Sequence, residues 1–128
     1  AKEAIARSVQ PQPLSDADWE RVTDEFRERE RVEGPFECSI DPLRPQSWPV
    51  VRSIASDEQD RLWVEVTVES NQRFDLMLFD GNGNLIARGA APVRDARVPF
   101  HVRNDRVHVV TTDSFGLQSV EVYRVTLN

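Results

Sequence analysis

From about residue 50 onward, apolar and polar positions alternate in short stretches separated by turn residues. Leu62, Val64, Val66 and Val68 fall on one face of an extended chain, with Trp63, Glu65 and Thr67 on the other. Phe74, Leu76 and Leu78 likewise oppose Met77 and Phe79. The pattern predicts strands over residues 50–56, 61–68, 73–80 and 84–90, then 97–103, 106–112 and 118–125. Both faces of the second and third strands carry bulky apolar groups, so this sheet expects cover on both sides.

Residues 1–47 have a different texture. Gln10-Pro11-Gln12-Pro13 interrupts regular structure, and Ser15 followed by Asp16 and Asp18 opens a helix. Trp19, Val22 and Phe26 give that helix one narrow apolar stripe, and Gly34-Pro35 ends it near Val32. The stripe is expected to pack Trp19 and Phe26 against the sheet or a partner. The organisation that follows is a helical, Pro-containing extension over 1–47 and two sheet units over 48–128, about 48–92 and 93–128.

The two units read alike. Asp60-Arg61-Leu62-Trp63-Val64-Glu65-Val66 returns 45 residues later as Asp105-Arg106-Val107-His108-Val109-Val110-Thr111. At the same offset Phe74-Asp75-Leu76-Met77-Leu78-Phe79 returns as Ser119-Val120-Glu121-Val122-Tyr123-Arg124. Short strands repeating every 40–50 residues or so are a propeller-blade signature. The second unit shows only three strands; a fourth comes from residues 1–14, from another molecule, or from nowhere. The fold class expected is all-β, two antiparallel blade-like sheets with an N-terminal helical extension.

The pattern Ile54-Ala55-Ser56-Asp57, Arg61-Leu62-Trp63-Val64, then Phe74 through Leu85, resembles a blade of bacterial six-bladed β-propellers of the NHL-like kind. Asp105-Arg106-Val107 and Thr112 through Val125 resemble a final blade of the same group. The resemblance covers about residues 45–127 and marks blade geometry, not chemistry. It implies two blades of a propeller, as a subunit or as the tail of a truncated one. Family activity does not transfer, because such propellers act as binding platforms, scaffolds and occasionally hydrolases.

Composition narrows the partners. The net charge of −6 over 128 residues argues against nucleic acid, which needs a basic stripe. No stretch is long and apolar enough for membrane insertion, and no apolar run follows Lys2 as a secretory signal requires. The compartment stays undetermined. Cys38 is the only cysteine, so no internal disulfide is available.

Candidate chemistry is sparse. Asp80-Gly81-Asn82-Gly83-Asn84 opens like a calcium loop, but Leu85 and Ala91 stand where that loop needs Gly and Glu. The same residues suit a tight hairpin. Asp57, Glu58 and Asp60 read as a solvated acidic turn, and His108 takes the place of Trp63 as a packing position, with His101 the other histidine. No nucleophile elbow is present, and Gly81 and Gly83 precede no helix that could hold a phosphate. No catalytic, metal or cofactor residue is assigned, and the residues that bind a ligand are unknown. A competing reading is a metal-dependent hydrolase formed in a channel only on oligomerisation, with Asp57, Asp60, Asp80 or His108 as ligands or base.

An isolated pair of blades leaves two outer faces bare. On the order of 500 Å² of apolar area per face exceeds what a soluble monomer tolerates, and its burial is worth roughly 12 kcal/mol before association costs. The reading is therefore a non-catalytic binding or self-assembly module. It is a homo-oligomer (dimer or trimer) unless the helix folds over one face; its small-molecule or protein ligand is unknown.

Overall fold

The computed structural model describes residues 10–69 and 73–127; residues 1–9, 70–72 and 128 lie outside that description. The chain is all-β with an N-terminal helical extension. Helix α1 (Asp16–Glu33) precedes β1 (Val51–Ser56), β2 (Leu62–Glu69), β3 (Arg73–Phe79) and β4 (Leu85–Ala90), which form one antiparallel sheet in chain order. Strands β5 (His101–Arg103), β6 (Arg106–Thr112) and β7 (Gln118–Arg124) form a second.

Helix α1 starts on a capping box: Ser15 Oγ accepts from the Asp18 N–H at 3.1 Å, and the Asp18 carboxylate reaches back to the Ser15 N–H. Its aromatic stripe is covered by the return segment, not by a strand. The rings of Phe26 and Phe36 lie 5.4 Å apart, and Trp19 Nε1 donates to Asp41 Oδ1 at 3.0 Å. Val22 stays exposed. At its base the extension is pinned by Leu14 N–H to Gln46 O (3.1 Å) and Trp48 N–H to Gln12 O (2.8 Å). The helical excursion is thus closed off beside the entry to β1.

One turn design recurs three times. Asp57, Asp80 and Asp113 each accept, on Oδ1, the N–H groups two and four residues onward, at 2.9–3.1 Å. Each turn closes with a residue at positive φ: Asp60 (57°), Gly83 (82°) and Gly116 (82°). The β5–β6 connection is shorter, with Asn104 and Asp105 both at positive φ as a two-residue hairpin requires.

Strand β5 covers three residues where alternation predicts 97–103. Pro99 has no N–H to give to a ladder, and Asp95 turns the chain first. Its carboxylate accepts from the Arg97 N–H (3.0 Å) and Thr112 Oγ1 (2.7 Å), and its carbonyl from the Val98 N–H (3.1 Å).

The two sheets meet face to face. Trp63, Leu76 and Leu78 of the first pack with Phe100, Val102, Val107 and Val109 of the second, all buried. On the far side of the first sheet Val64, Val66, Met77 and Phe79 form a second buried cluster; its described members all come from that sheet and its margins.

Candidate interaction site

Polar struts fix the two sheets against each other. Asp57, buried at the end of β1, accepts from Arg61 Nε (2.7 Å) and Trp63 Nε1 (2.8 Å). Arg61 Nη2 extends to Asp105 Oδ1 in the β5–β6 turn, and Glu58 Oε1 accepts from the Asn104 N–H (2.7 Å). Burial pushes the Asp57 carboxyl up, but the Trp63 indole, the N–H groups of Arg61 and Gln59 and the Arg61 guanidinium outweigh it, leaving its pKa below the ordinary 3.8. A second strut is buried outright. Arg94 holds Glu65 through Nη2 (2.7 Å) and Nε (3.3 Å), and its Nη1 donates to the carbonyls of Val98 and Asp95.

The face of the second sheet turned away from the first is open. His101 pairs across to His108, His108 to Val122, and Val110 to Val120, so these five side chains share one face. Val120 is 68% exposed and Val122 53%. The two imidazoles lie 6.0 Å apart, and His108 Nδ1 is buried without a hydrogen-bond partner among the described residues. Every residue of β7 is exposed; β7 pairs with β6, and among the described residues no strand lies on its other edge. Phe115 and Leu117 add exposed apolar surface in the adjoining turn.

The candidate acids do not converge. Asp80 caps its own hairpin, with Asn84 Nδ2 on its second oxygen (3.1 Å), and Asp57 is occupied by Arg61 and Trp63. Asp60 supplies the positive-φ position of the first turn, and His108 lies on the outer face of the second sheet. Among the described residues no group of three or more His, Cys, Asp or Glu is arranged to hold a metal ion. Cys38 is free and exposed.

A cleft of about 180 Å³ lies at the edge of the first sheet between Arg52, Arg73, Phe74 and the 90–94 connection. The Arg52 guanidinium stacks on the Phe74 ring at 3.7 Å. Burial depresses the Arg52 pKa against the opposing pull of Glu65, and Arg94 adds to the depression. Among the described residues its lining is three arginines and apolar side chains, with Arg94 already held by Glu65.

Sequence reasoning missed the Glu65–Arg94 pair, because the partners sit on different sheet units and neither looks unusual alone. It also set the third strand one residue out. Val122, not Tyr123, stands opposite His108 as Leu78 stands opposite Trp63. The aromatic pair Phe79 and Tyr123, opposite Leu62 and Val107, is the signal that would have found the shift. No family model, no curated protein and no solved structure matches the chain.

Proposed function

We propose that the chain is a non-catalytic self-assembly module of β-propeller type, in which the outer face of the second sheet stacks on the first sheet of another copy. The observation that carries this is the relation between the open face and the buried one. His108, Val110, Val120 and Val122 occupy the register positions that Trp63, Glu65, Leu76 and Leu78 occupy in the first sheet. Those first-sheet residues are buried by a stacked neighbour; their counterparts are not.

Val107 and Val109, which receive the first sheet, correspond to Leu62 and Val64 on its far side. Val64, Val66, Met77 and Phe79 are already buried there within the chain, so the contact on that side is confined to the β1 margin, where Val51 (46%) and Ile54 (58%) face water. Such an interface is heterologous, and it stops growing when a ring closes. Three copies would supply six sheets, as the resemblance to six-bladed propellers implies.

Multi-angle light scattering over a range of concentrations tests this. The wild-type chain is expected to assemble, and Val122→Asp to yield a monomer with an unchanged circular dichroism spectrum, since Val122 is exposed in the single chain. A wild-type chain monomeric at several hundred micromolar overturns the proposal.

A further inference from the structure

The outer face of the second sheet ends in a row of three arginines. Arg103 stands directly opposite Arg106, and Arg106 directly opposite Arg124, on the same face as His101, His108 and Val122. All three are exposed, and among the described residues none forms an ion pair. The carboxylates nearest in the chain are engaged elsewhere: Asp105 takes Arg61, and Glu121 takes the Tyr123 phenol. Like charges set across a ladder destabilise it, so the row is a cost that the folded chain does not offset.

The first sheet shows what the row replaces. The shared pairing sets Arg103, Arg106 and Arg124 at the positions of Asp57, Arg61 and Asp80. That row alternates acid, base and acid, and Arg61 reaches on from Asp57 to Asp105 in the facing sheet. On the open face both acid positions hold arginine. The place where one sheet bonds to its neighbour has become three cations that the chain itself does not neutralise.

The spacing selects the ligand. Neighbouring strands lie about 4.8 Å apart, so the three Cα positions span about 10 Å, and the long side chains can converge on one group. A phosphate dianion offers three terminal oxygens and takes guanidinium forks in bidentate pairs. A single carboxylate answers only one fork, and a chain of net charge −6 repels a long polyanion. The adjoining row of His101, His108 and Val122 gives imidazole and apolar surface on which the body of an ester can rest. His108 Nδ1, buried with no hydrogen-bond partner among the described residues, belongs to that row.

We propose that Arg103, Arg106 and Arg124 form a binding site for one terminal phosphate group, free or as a small monoester, with Arg106 at its centre. This goes beyond the self-assembly reading and does not rest on it.

Thermal unfolding of the full chain tests the site, with protein diluted until light scattering reports the monomer. Inorganic phosphate and phenyl phosphate are titrated against sodium chloride of equal ionic strength, which removes general screening. Both anions are expected to raise the melting temperature of the wild-type chain above the chloride control. Arg106→Gln should raise the half-saturating concentration about ten-fold, the loss of one charge-assisted contact. Arg29→Gln, which removes the same charge from helix α1, should leave it unchanged. Without ligand, Arg106→Gln should melt no lower than wild type, because two like-charge contacts are relieved. Tighter binding of phenyl phosphate assigns a monoester as the ligand, and equal binding assigns free phosphate. No rise beyond chloride, a rise equal in Arg106→Gln, or a ligand-free Arg106→Gln less stable than wild type overturns the proposal. None of these results bears on self-assembly, which scattering at high concentration decides separately.

Discussion

Arg61 spans the two sheets: its Nε holds Asp57 at 2.7 Å while its Nη2 reaches Asp105 in the facing β5–β6 turn. The two carboxylates differ in environment, the Asp57 side chain being 1% exposed and that of Asp105 48%. Removing the guanidinium therefore harms the molecule far more than removing its outer partner. Arg61→Ala is expected to cost about 3–5 kcal/mol, because it leaves Asp57 buried beside no cation. Asp105→Asn should cost no more than about 1 kcal/mol. Urea unfolding of both variants checks this, and equal losses would refute the assignment of the strut to Asp57.

Glu65 and Arg94 make the buried ion pair between the first sheet and the connection to the second, with side chains 2% and 3% exposed. Glu65→Leu alone strands a buried guanidinium and should destabilise by about 3–5 kcal/mol. Glu65→Leu with Arg94→Met removes both charges and should recover most of that loss, short of what the orphaned carbonyls of Val98 and Asp95 retain. A double variant as unstable as the single one would show that Arg94 acts mainly through those carbonyls.

Acid sensitivity follows from Asp57 and Asp95. The Arg97 guanidinium, then the Thr112 hydroxyl and the Arg97 N–H, hold the Asp95 carboxyl well below its ordinary value, and Asp57 is also lowered. The unfolded chain then takes up protons before the folded one as pH falls. Their contribution is complete above the unfolded value and is lost as pH drops from about 4–5 through the folded values. Melting temperature should fall over that range, and Asp57→Asn should flatten part of the slope.

The helix stripe packs on its own return segment, so its loss should be local. Trp19→Ala with Phe26→Ala removes the Phe36 and Asp41 contacts and should reduce helical circular dichroism while leaving the sheet's thermal transition in place. A matching fall in the sheet transition would show that the helix braces the strands.

Asp60 occupies a left-handed position that glycine fills in the two other turns of the same design. Asp60→Gly should raise stability by up to about 1 kcal/mol in thermal unfolding.

Alternation with a period of two is a local property, so Leu62 through Val68 and Phe74 through Phe79 reveal their strands without reference to anything distant. Ser15, Gly34, Gly83 and Gly116 mark ends and turns for the same reason: each answers a backbone need within a few residues. The one-residue shift of β7 against β6 was not visible, because hydrogen-bond register depends on the length of the loop that precedes it. The acidic turns looked like possible ligand sets because carboxylates that fold a turn and carboxylates that bind a metal have the same composition.

The amino-acid order alone determined that this protein is made of short antiparallel strands preceded by a capped helix. Only the tertiary structure decided that Asp57, Glu65, Arg61 and Arg94 are spent on joining two sheets, and that Val120 and Val122 are left facing water. Strand formation is governed by neighbours along the chain. Which face finds cover is governed by residues far away in it, and no local pattern carries that distance.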